Sequence, residues 1–135
     1  TRAEPDRGHR RFHPASHHGG VPNNVLDFNK INRYHVSMVP YLLDKLANTM
    51  EGDKSLLEKT AVVYGSPMGE PNLHNHRRCP LFIAGHANGQ LKGGVHLKAP
   101  DGTPMANVFL SLMHAMGRDD IQSFGDSTGE FPLSV

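Results

Sequence analysis

The sequence predicts an α/β protein with a small parallel or mixed sheet, a long N-terminal helix and a second, C-terminal helix. Three observations carry this. Apolar residues recur at helical spacing across residues 24–50. Two compact apolar runs, TAVVYGS at residues 60–66 and PLFIAG at residues 80–85, read as buried strands. A well-punctuated helical run, TPMANVFLSLMHAMG, follows at residues 103–117.

Taken in order, residues 1–22 form an irregular, histidine-rich segment with no periodicity. Over residues 24–50, Val25, Phe28, Ile31, His35, Met38, Val39, Leu42, Leu46 and Met50 mark one buried helix face. Asn23 or Asn24 suits its N-cap, and Pro40 is expected to kink or split it. EGDKS (residues 51–55) reads as a turn and LLEK as a short helical turn. The 14 residues 66–79 between the two strands are too long and irregular for a tight hairpin. VHLKAPDGTP reads as a short strand and a turn. The last helix has Thr103 as N-cap, Pro104 at its first position and Gly117 as its stop. Its apolar face is Met105, Val108, Phe109, Leu112, Met113 and Met116. This order is that of an α/β fold, and it sets the long polar loop at a strand end, where open α/β sheets build their sites.

The 135 residues bound the chain to one domain, residues 1–135. Fourteen basic residues balance thirteen acidic ones, a net charge of +1, so nothing global points to nucleic acid or an anionic membrane as partner. A local basic run, RGHRRFH from Arg7 to His13, reads as a solvated terminus. No apolar run approaches a membrane span and no signal-peptide pattern opens the chain. It opens on Thr1 in a charged stretch, as expected of a processed chain or part of a longer one. The single cysteine, Cys79, excludes an internal disulfide and reads as a small buried residue before a strand.

Histidine is the unusual count, with ten residues, five of them in two clusters, His13/His17/His18 and His74/His76. Imidazole nitrogens ligate zinc, copper, nickel or iron. His13 and His17, four apart, share a face on a helix. His18 points elsewhere in any regular conformation. His74 and His76, two apart, point the same way in an extended segment. Glu70 and the amides of Asn72 and Asn75 lie beside them. Ser16 is a candidate donor to a substrate oxygen, or a turn-stabilising hydroxyl. The alternative is a set of loop histidines bonded to backbone. His35 and His114 read as core or boundary residues.

HPASHH at residues 13–18 matches the signature His-x-x-Ser-His-His, and the chain resembles the bacterial family of unknown function named HXXSHH for it. INRYHVSMVPYLLDKL, VVYGSPMGEPNLHNH, PLFIAGHANGQLKGGVHL, TPMANVFLSLMHAMG and FGDSTG resemble that family's later blocks, so the likeness covers nearly the whole chain. Family members are usually longer, which implies that this chain is their C-terminal portion. The family is distantly similar to the alkaline phosphatase and sulfatase superfamily, which implies a larger fold of that kind. In that superfamily an Asp-x-x-x-His pair binds one metal, and a later His precedes a strand. Here His13 stands in place of the Asp, with His17 second, and His76 or His74 fits the later position. The superfamily's Asp-His pair after a central strand is replaced by Ser66-Pro67-Met68-Gly69. Its nucleophile lies in an early segment outside these residues. The resemblance also implies export to the periplasm.

Two functions follow as expectations. In the first, His13, His17 and His74 or His76 hold a divalent ion, zinc by preference, in a metal-dependent phosphate or sulfate ester hydrolase. Ser16, His18 and Glu70 are then the candidates for catalytic or supporting roles, and a small ester is the substrate. In the second there is no turnover: the same ligands serve a metal-binding or structural module, or the His clusters are incidental to an interaction domain. An isolated fragment leaves a strand edge open, so a missing N-terminal part of the chain or another subunit is the expected partner.

Overall fold

The computed structural model describes residues 11–133. These fall into two compact units interleaved along the chain. The first is residues 11–45 with Ser66–Pro80, and the second is Leu46–Gly65 with residues 81–133.

The first unit opens on a short helix, α1 (Phe12–Ser16), within the segment expected to be irregular. The Arg11 carbonyl accepts from the Ala15 amide at 3.0 Å, and Pro14 sits in the first turn, where its missing N–H costs no helical bond. Ala15 and Ser16 are buried. Residues 1–10, with most of the basic run, lie outside the described residues.

The long helix α2 (Pro22–Ala47) begins at Pro22, earlier than expected, with proline at the first helical position, where its fixed φ suits the helix. Asn24 makes no cap; its side-chain amide donates to the His18 carbonyl at 3.2 Å. Pro40 does not split the helix. Val36 and Pro40 are both exposed, so solvent can serve the Val36 carbonyl that Pro40 leaves unbonded. Only Ile31 and Val39 of the expected apolar face are buried, while Val25, Met38 and Leu42 are exposed. The Phe12 ring fastens α1 to α2, with centroids 5.5 Å from Phe28 and 5.3 Å, edge-on, from His35.

In the second unit, β1 (Met50–Glu51) and β2 (Lys54–Ser55) pair antiparallel around the expected turn. Helix α3 (Leu56–Lys59) starts with a reciprocal cap: the Glu58 amide donates to Ser55 Oγ, and the Ser55 amide donates to the Glu58 carboxylate. That backbone N–H, then the Ser55 hydroxyl, lowers the Glu58 pKa. Strands β3 (Val62–Gly65) and β4 (Leu81–Ala84) lie in the two expected runs. They pair antiparallel, from Val62 opposite Ala84 to Gly65 opposite Leu81.

The α/β composition holds, but both sheets among the described residues are antiparallel two-stranded pairs, in place of a parallel or mixed sheet. A parallel pair needs a crossover, usually a helix, and residues 66–80 contain none, so the chain doubles back. The strand expected near Val95 is also absent. Glycines 93 and 94 precede it, Pro100 follows, and Val95 is exposed with no strand against it.

Helix α4 (Ala106–Ala115) starts three residues beyond Thr103, and its N-cap is Met105 without a side-chain bond. Pro104 and Met105 carbonyls receive the Asn107 and Val108 amides, a tighter entry turn that leaves Thr103 outside the helix. Gly117, at φ 80°, ends the helix as expected. Its amide bonds the His114 carbonyl and the Arg118 amide the Met113 carbonyl, a paired closure that needs the left-handed residue glycine supplies. Leu112 joins Ala87 and Leu91 in the core, packed by Ala61, Ile83, Val108, Phe109 and Leu133. Met116, expected inside, is 72% exposed.

The buried stripe of α4 includes two polar residues, Asn107 and Ser111. Asn107 exchanges bonds with Thr128, and the Ser111 hydroxyl donates to the Phe131 carbonyl and accepts its amide, so the following segment is laced to the helix. Among the described residues no helix is long and apolar enough to cross a membrane.

Candidate metal centre

The site is built wholly within the first unit. One turn of helix places His13 and His17 on the same exposed side of α1, with His17 as its C-cap. Their Nε2 atoms stand 3.2 Å apart and their rings meet edge-on at 4.9 Å. His74 comes from the loop after β3, its ring edge-on to His17 at 4.9 Å. One ring nitrogen from each of His13, His17 and His74 lies within 4.8 Å of the others, and all three residues are exposed.

The loop that carries His74 is ordered by its own polar groups. Glu70 and Asn75 form an isolated antiparallel bridge. The Glu70 carboxylate accepts from the Asn72 amide at 3.2 Å and the Leu73 amide at 2.7 Å. His74 closes the turn in the left-handed region at φ 52°, with its amide on the Pro71 carbonyl. Gly69 is required for close approach: a Cβ there would collide with the Arg77 carbonyl oxygen.

His76 is not brought into the cluster. Its Nδ1 lies 2.8 Å from the Pro67 carbonyl. His74 and His76 were expected to point together on extended chain, but residues 71–74 form a turn, which breaks the two-residue alternation. His18 diverges from His17 as its adjacent position implies. Its Nε2 is 3.3 Å from Glu70 Oε1, and its Nδ1 accepts from the Gly20 amide at 3.1 Å. Ser16 is 5% exposed and its hydroxyl donates to the His13 carbonyl at 2.7 Å, so it closes α1 and offers little surface to a substrate. Cys79 Sγ contacts the Pro67 and His76 carbonyls.

No family model, curated protein or solved structure matches this chain. What the site can do therefore follows from its geometry. Three imidazoles converge from two segments far apart in sequence, close enough to bind one metal ion. Two nitrogens sharing a tetrahedral ion with bonds of about 2.0–2.1 Å lie about 3.3–3.4 Å apart, close to the separation of His13 and His17 Nε2. Sequence spacing pointed to both segments. It did not show the bond from the Gly19 amide to Asn72 Oδ1, at 2.8 Å, that joins them. The Gly-Gly pair after His18 was the only local signal there: Gly19 and Gly20 lie at φ 61° and 72°, the left-handed region that glycine favours.

Proposed function

We propose that His13, His17 and His74 hold a divalent metal ion, zinc by ligand type, in a protein related to the HXXSHH family. The observation that carries this reading is the convergence of three exposed imidazoles within 4.8 Å. An all-imidazole set favours zinc, copper or nickel over magnesium or calcium, which take oxygen ligands. Three protein ligands leave a fourth position for water or substrate, as catalytic zinc requires. The ion would polarise an ester oxygen or activate water, so phosphate or sulfate ester hydrolysis is the reaction class we assign to the longer protein. There the chain is part of a larger alkaline-phosphatase-like α/β fold. The exposed apolar residues of α2 (Val25, Leu26, Val36, Met38, Tyr41 and Leu42) and the open edges of the two-stranded sheets support a further chain segment or subunit as partner.

The test is metal content by mass spectrometry on protein purified without a histidine tag. One equivalent of metal, lost in a His13→Ala/His17→Ala variant, is expected. Metal-free protein after reconstitution with zinc, copper or nickel would end the reading. Turnover of a panel of phosphate and sulfate esters by the longer protein separates hydrolase from non-catalytic metal module, the second reading, which the exposure of all three ligands also accommodates.

A further inference from the structure

We propose that Glu70, His18 and Asn72 form a positioning clamp that presents His74 to His13 and His17. The inference rests on the metal-centre reading and deepens it. Both oxygens of Glu70 are committed: Oε1 to the Asn72 amide and His18 Nε2, Oε2 to the Leu73 amide. The Glu70 main chain also exchanges bonds with Asn75, so one residue holds the turn from both sides of His74. His18 is likewise committed. Its Nδ1 accepts the Gly20 N–H, which leaves the proton on Nε2, facing Glu70.

A second tie runs in parallel. The Gly19 amide donates to Asn72 Oδ1. His18 and Gly19 directly follow His17, while Asn72 and Leu73 directly precede His74. The two ligand-bearing segments are thus bolted together two residues from a ligand on each side by Gly19 and Asn72, and again by His18 and Glu70. Without the clamp, α1 still offers His13 and His17 as a pair, but His74 loses its fixed position. Groups that orient metal ligands in this way change metal affinity by about 10–100-fold when removed.

The test is zinc affinity by chelator competition, with the visible bands of bound cobalt, on the full chain and three variants. Glu70→Gln sets an NH2 group against an amide N–H that it should accept. It is expected to weaken zinc by about 10–100-fold and alter the cobalt spectrum. Asn72→Leu is expected to weaken zinc by about 10-fold, whereas Asn72→Asp keeps the acceptor for Gly19 and binds as tightly as the parent or tighter. Unchanged zinc affinity and cobalt bands in Glu70→Gln, or equal losses in Asn72→Leu and Asn72→Asp, would overturn the clamp. Amide exchange of Gly19, Asn72 and Leu73 in metal-free protein gives an independent reading. Protection in the parent that Glu70→Gln or Asn72→Leu abolishes supports the clamp, and no protection in the parent refutes it. A parent that binds no metal fails the metal reading alone, and exchange still judges the clamp.

Discussion

His74 combines two properties that belong together at a site: a backbone at φ 52° and a ring aimed at two other imidazoles. A non-glycine residue in the left-handed region costs of order 1–3 kcal/mol, and such residues cluster where surroundings hold them for a purpose. Asparagine tolerates this conformation well. His74→Asn should therefore change stability by no more than about 0.5 kcal/mol, as for an ordinary surface replacement, while removing the third ligand. Denaturant unfolding beside zinc titration checks this. A large loss of stability in the metal-free variant would mean that the ring of His74 has a packing role. The same scale explains what spacing alone missed. His74 and His76 look equivalent in sequence, and only the turn made by Glu70 separates them, one into the cluster and one onto the Pro67 carbonyl.

Between α4 and the segment that follows it, a titratable contact adds to the bonds of Asn107 and Ser111. His114 Nε2 lies 2.7 Å from the Ile121 carbonyl and its Nδ1 3.0 Å from Glu130 Oε1. Both partners accept, so both contacts are made only by the doubly protonated ring. The Ile121 carbonyl, then Glu130, raises the His114 pKa, with Asp119 also favouring the charge. A raised histidine pKa stabilises the fold below the ordinary value of about 6.5, and this contribution is lost as pH rises through the higher folded value. The C2–H resonance of His114 should titrate above that value, and residues 118–131 should exchange faster at pH 8 than at pH 6 after correction for intrinsic rates. His114→Gln should flatten that difference. A His114 resonance that titrates at or below the ordinary value would contradict the prediction.

At the scale of the whole chain, a metal bound by α1 and the loop after β3 ties together parts of the first unit that are distant in sequence. Binding to the folded state alone stabilises by mass action, about 2.7 kcal/mol at a hundredfold excess over Kd. Excess zinc should therefore raise the midpoint of the transition reporting residues 11–45 and 66–80 by several degrees, and leave His13→Ala/His17→Ala unmoved. Equal shifts in parent and variant would place the ion elsewhere.

Periodicity and punctuation, both local properties, were enough to place α2, β3, β4, α3 and the glycine stop of α4. The sequence likewise marked the side chains that could hold a metal, because clustered imidazoles need no fold to be recognised. Strand direction was decided only in the tertiary structure, since pairing depends on how the connection runs and not on the strand's own residues. So was the buried face of α4, where Asn107 and Ser111 face inward because Thr128 and Phe131 satisfy them. Which histidines lie within reach of one ion was decided there too. Which histidines converge depends on hydrogen bonds among Gly19, His18, Glu70 and Asn72, and these join residues that spacing along a chain cannot bring together.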